Sequence, residues 1–107
     1  MSLQVFDVSL DVVRSLRSSL AAIGANDRAL ADQLRRAASS ISLNLAEGFR
    51  RAGKDRTQFY RIAAGSADEA TAALRVALAW GYIEEATVAE ALRLLDRVLA
   101  MLWRLTH

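Results

Sequence analysis

Val88-Ala89-Glu90-Ala91-Leu92-Arg93-Leu94-Leu95-Asp96-Arg97-Val98-Leu99-Ala100-Met101-Leu102-Trp103-Arg104-Leu105 decides the fold class. Val88, Leu92, Leu95, Leu99 and Leu102 recur every three or four residues, the spacing that lines one side of a helix. Leu94, Val98, Met101 and Leu105 run alongside that stripe and widen it, with Met101 and Trp103 lying off its centre. The same rule holds upstream. Val5, Val8, Val12, Leu16, Leu20 and Ile23 form a stripe widened by Phe6, Leu10 and Val13. Leu30, Leu34, Ala38, Ile41 and Leu45 form another, and Phe59, Ile62, Ala63, Ala67, Ala70, Leu74, Ala77 and Leu78 a further one. Period-two alternation is not sustained anywhere, so strands are not expected.

Glycines mark where these pieces end. Gly24 precedes Ala25-Asn26-Asp27, a helix stop running into N-cap residues. Gly48 and Gly53 bracket Phe49-Arg50-Arg51-Ala52, and Gly81 follows Trp80. Thr87-Val88-Ala89-Glu90 and Asp55-Arg56-Thr57-Gln58 have the form of capping boxes. The expected fold is all-α, an up-down-up-down antiparallel four-helix bundle forming a single domain over residues 1–107. The apolar sides of the first and last helices are wider than one core needs, which points to self-association.

Composition removes several chemistries. There is no cysteine and no proline, and the one histidine is His107. Disulfides, thiolate metal sites, cysteine nucleophiles and histidine-based triads are excluded, and no cofactor or metal is expected. No charged segment precedes an apolar run of signal-peptide form, and the uncharged runs are too short to span a bilayer, so a cytoplasmic protein without a membrane partner is expected. The formal charge of +2 hides an uneven distribution. Residues 35–61 carry Arg35, Arg36, Arg50, Arg51, Lys54, Arg56 and Arg61 against only Glu47 and Asp55, while the rest of the chain is net acidic. Thirteen of the fourteen basic residues are arginine, whose planar fork suits phosphate oxygens. The seven cations are therefore the candidate nucleic-acid-binding residues. The alternative is a solvated turn paired with Glu47 and Asp55.

A second pattern is polar and helical. Ser40, Asn44, Glu47 and Arg51 are spaced four, three and four, and Arg61, Gly65 and Glu69 are spaced four and four. Gly65 inside a helix costs about 1 kcal/mol relative to alanine, so a close approach between the second and third helices is expected there. Asn44 or Glu47 would then bond across, with Ser66 as partner. Glu47 and Glu69 would otherwise be an acid pair or metal site, but carboxylate metal sites in bundles add histidines that this chain lacks.

The stretch Ser40-Ile41-Ser42-Leu43-Asn44-Leu45-Ala46-Glu47-Gly48 resembles the Ser-Ile-x-x-Asn-Ile-Ala-Glu-Gly core of the four-helix-bundle proteins encoded in intervening sequences of bacterial 23S rRNA genes. Ala63-Ala64-Gly65-Ser66-Ala67-Asp68-Glu69 resembles that family's Ala-x-Gly-Ser-x-x-Glu element, and Trp80-Gly81-Tyr82-Ile83 its turn before the last helix. The first turn, Ala22 to Asp27, lacks the aromatic-proline element common in the family. The resemblance implies a ring-shaped homopentamer. It is also related to accessory proteins of diversity-generating retroelements, which implies RNA or DNA and a reverse transcriptase as partners.

The expected function is a non-enzymatic oligomer that binds nucleic acid electrostatically around the turn between the second and third helices, with little sequence preference. A protein-interaction scaffold without direct nucleic-acid binding is the second reading. An enzyme is not expected, because Gly48-Phe49-Arg50-Arg51-Ala52-Gly53 lacks a P-loop ending and Glu84-Glu85 suits a helix start.

Overall fold

A computed structural model describes residues 3–107. It contains five helices, α1 (Gln4–Ser15), α2 (Arg17–Asn26), α3 (Arg28–Phe49), α4 (Gly53–Trp80) and α5 (Glu85–Thr106), and no strand among the described residues. None of these helices is long and apolar enough to cross a membrane. α3 packs on α4, α4 on α5, α5 on α1, and both α1 and α2 lie against α3. At about 1.5 Å per residue, the 28 residues of α4 reach along the whole 42 Å length of the molecule.

The fifth helix arises from a break inside the expected first one. Leu16 separates α1 from α2, and its amide reaches back three residues to the Val13 carbonyl at 3.2 Å. Beside it the Ser15 hydroxyl donates to the Val12 carbonyl at 2.7 Å. Such a bond competes with the helical ladder, but Ser9 makes the same one to the Phe6 carbonyl inside unbroken α1, so it accompanies the break and is not sufficient for it. Neither proline nor glycine is involved.

Helix ends also differ from the sequence expectation at three places. Gly24 does not stop α2, which runs to Asn26; the chain turns at extended Asp27, whose carboxylate accepts from the Leu30 amide at 3.0 Å. The two capping boxes do not form, because α4 begins at Gly53 and α5 at Glu85, ahead of Asp55 and Thr87, with no side-chain cap on either. Gly81 sets the last start. It is left-handed at φ 79°, and the Tyr82 and Gly81 amides return to the Ala77 and Leu78 carbonyls at 3.0 Å each. That closure favours glycine and releases the chain before α5.

One core joins all five helices. Val5, Val12, Leu16, Ile23, Leu34, Ile41, Leu45, Leu74, Val88, Leu95, Val98 and Leu102 are buried within it. α4 contributes mainly alanine: Ala63, Ala67, Ala70, Ala73 and Ala77, with buried Tyr60 at its start. Several stripe positions are not core: Val13 and Leu105 are exposed, and Leu20, Leu30, Phe59 and Leu78 are half-buried. Ile62 is 42% exposed rather than core, and on α5 Leu94 is buried while Leu92 and Leu99 are only half-buried.

Candidate nucleic-acid interface

The turn between α3 and α4 is built around Gly48. A Cβ there would lie 2.8 Å from the Phe59 Cβ and 2.9 Å from the Tyr60 ring, so α3 and α4 touch where only glycine fits. The close approach expected at Gly65 is not at that residue. A Cβ on Gly65 would meet nothing within 4 Å, and Gly65 is exposed. Helical spacing identifies an interior glycine but does not say on which side of it the neighbouring helix lies.

The expected polar seam forms beside this contact. The Ser40 and Ser66 hydroxyls meet at 2.8 Å across α3 and α4, and the Asn44 amide donates to the Ser40 carbonyl at 2.8 Å and hydroxyl at 2.9 Å. Asn44 therefore acts through Ser40 rather than reaching across itself. Glu47 and Glu69 stay outside the seam, both exposed, with Glu47 facing Arg51 at 3.5 Å. Among the described residues, no group of three His, Cys, Asp or Glu is placed to hold a metal ion. A second polar link was not foreseen. Ser9 of α1 donates to the Phe6 carbonyl at 2.6 Å and shares a 2.7 Å contact with Ser42 of α3, both serines being buried. Its signal in the sequence is a serine set among Val5, Val8 and Val12.

The seven candidate cations divide into three groups. Arg56 lies against the end of α3, its Nε donating to the Gly48 carbonyl at 3.4 Å and its Nη2 to the Phe49 carbonyl at 3.0 Å, with the guanidinium 5.9 Å from the Phe49 ring. A cation on those orphan carbonyls also opposes the negative end of the helix dipole. Arg51 bridges Glu47 at 3.5 Å and Asp55 at 3.7 Å and covers the Phe59 ring at 5.1 Å. These two brace the turn. Arg35 pairs with Asp32 at 2.8 Å, and Arg35 and Arg36 lie at least 14 residues before Arg50, about 21 Å along a helix, so they do not join the turn. Arg50, Lys54 and Arg61 remain. All three are exposed, and none takes part in an ion pair among the described residues. Lys54 and Arg61 line one shallow groove along the start of α4 with Gly53, Thr57 and Gln58. This arrangement offers a strip of guanidinium, ammonium and amide donors, which suits phosphate oxygens, while the Thr57 hydroxyl donates to the Gly53 carbonyl at 3.3 Å.

The model of the family described as 23S rRNA-intervening sequence protein matches residues 1–104. No curated protein matches the chain. A crystal structure from Bacteroides thetaiotaomicron, described as a protein with unknown function from the S23 ribosomal protein family, is similar in fold, with a TM-score of 0.84 at 20% identity. The similarity covers 95% of this chain and 97% of that one.

Proposed function

The chain belongs to the family of 23S rRNA-intervening sequence proteins, and from that premise we propose that it is a cytoplasmic, non-enzymatic homo-oligomer that binds nucleic acid, RNA or DNA, through Arg50, Lys54 and Arg61. We read its helices as an up-down-up-down bundle whose first arm, α1 and α2, is interrupted at Leu16. The observation that carries the reading is the division of the cations at the α3–α4 turn. Arg51 and Arg56 hold the turn in shape, and the three cations beside them are left without carboxylate partners. An ordered strip of unmatched positive charge is suited to a polyanion. Assembly repeats the strip, so contacts that are weak in one copy add through multivalency. Exposed Leu43, Trp80 and Trp103 support the oligomer, since large apolar side chains left in solvent mark interfaces.

The test is fluorescence anisotropy with unrelated RNA and DNA oligonucleotides across a salt series. Log affinity should fall linearly with log salt, by about 0.7 per neutralised phosphate on single strands. Changing Arg50, Lys54 and Arg61 to glutamine together should weaken every sequence alike and flatten that slope by up to about 2 per engaged subunit. Arg35→Gln with Arg36→Gln should leave the slope nearly unchanged. No binding by the wild-type chain at low salt would replace this reading with the scaffold.

A further inference from the structure

The turn that carries Trp80, Gly81 and Tyr82 takes no part in the polar seam or the cation strip. α3 and α4 run away from one turn, and α4, with 28 residues against 22, is six residues longer, about 9 Å. Trp80, its last residue, therefore stands beyond the start of α3, and it is 67% exposed. Gly81 turns the chain back, and the Tyr82 ring stacks on Trp80 with centroids 6.2 Å apart and planes 15° from parallel. Buried Ile83 anchors the turn in the core, and exposed Glu84 and Glu85 lead from it into α5. Glu84 holds the N-cap position, yet its carboxylate caps no amide. These groups all attract cations, and no cation of the chain takes them. Neither glutamate belongs to an ion pair among the described residues. The cation–π contacts among those residues are Arg51 on Phe59 and Arg56 on Phe49, both at the opposite end of α4. Arg28 begins α3, below the level of Trp80, and Arg75 lies five residues before Trp80, about 140° round the helix.

We propose that this turn docks an arginine-rich segment of a partner protein, with one guanidinium lying on the outer face of Trp80 and others pairing with Glu84 and Glu85. The inference goes beyond the nucleic-acid reading and does not rest on it. Guanidinium fits better than ammonium, because its plane stacks on an indole and its fork meets a carboxylate with two bonds. Two adjacent carboxylates beside two rings serve more than one cation, which a basic peptide supplies and a single small cation does not. The same carboxylates repel phosphate, so a nucleic acid is not the occupant of this end. The two ends of α4 then have opposite tasks. The Gly53 end presents cations, and the Trp80 end accepts them.

The chain has a formal charge of +2, so general charge attraction does not draw a basic peptide to it. The anisotropy of a dye-labelled peptide carrying three arginines should rise saturably on titration with the protein at low salt. The same peptide with citrulline for arginine should not bind, and its lysine counterpart should bind several-fold more weakly. Trp80→Ala should weaken the arginine peptide about two- to fivefold. Glu84→Gln with Glu85→Gln should weaken it about tenfold, and both variants should keep the helical circular dichroism of the wild type. No binding of the arginine peptide, equal binding of the lysine peptide, or wild-type affinity in either variant would overturn the proposal. So would an RNA oligonucleotide whose affinity falls with Trp80→Ala, which would give the rings to bases. A lower oligomeric mass for Trp80→Ala would overturn it too, by giving the ring to a second copy.

Discussion

The α3–α4 hairpin and the α1–α2 arm lie against each other, yet they are held by different means. α3 meets α4 through a glycine on an aromatic pair, a serine pair locked by Asn44, and an arginine on the last carbonyls of α3. α1 and α2 are held mainly by apolar burial, with one buried hydroxyl link from Ser9 to Ser42. Ser19 of α2 is also buried, and its hydroxyl has no hydrogen-bond partner among the described residues. Specific contacts therefore concentrate in the α3–α4 hairpin, and the arm held mainly by apolar burial carries the break at Leu16.

Substitutions that remove these contacts test the contrast, beginning where the effect is largest. Gly48→Ala pushes a methyl into the Phe59 Cβ, which cannot swing aside, and should cost about 1–3 kcal/mol in urea unfolding. Gly65→Ala makes the opposite case. With nothing to meet, it should raise the stability of the dissociated chain by up to ~1 kcal/mol. Equal losses at both glycines would erase the distinction between them.

The seams come next. Ser42→Ala leaves Ser9 with only the Phe6 carbonyl and should cost about 1 kcal/mol, as should Asn44→Ala, which removes the amide bonds that hold Ser40 against Ser66. Ser19→Ala should do the reverse, stabilising the arm by roughly 0.5–1 kcal/mol, because it deletes a buried hydroxyl that bonds to nothing. A loss at Ser19 as large as that at Ser42 would show the arm to be specifically bonded after all. Arg56→Gln should have the smallest effect, about 0.3–1 kcal/mol at low salt and less at high salt, read as a small drop in Tm.

Much of this was legible in the residues. Helical stripes follow from spacing, because periodicity is a local property of the chain, and the N-cap at Asp27 follows from residue type; Ser66 was legible as a partner across the seam, but the residue that reaches it is Ser40 and not Asn44 or Glu47. The break at Leu16 was not legible, since neither proline nor glycine marks it and Leu16 itself continues the apolar stripe. The close approach falls at Gly48 and not at Gly65 because which side of a glycine meets a neighbour is decided by tertiary packing. The cations divided for a similar reason. Arg51, Arg56 and Lys54 are close in sequence, but only the folded turn brings two of them onto carboxylates or carbonyls and leaves the third in solvent.

The alanine lining of α4 has a consequence for how the hairpin is set. Ala63, Ala67, Ala70, Ala73 and Ala77 repeat at three- and four-residue steps, so a slide of α3 along α4 by one turn, about 5.4 Å, would exchange one alanine for the next with little change in buried area. Such a rail has several nearly equal stops. Gly48 under Phe59 and Tyr60 acts as a notch that admits one stop, and the Ser40–Ser66 bond latches it eight residues away. The seam is therefore less a source of strength than a detent that chooses one position among several.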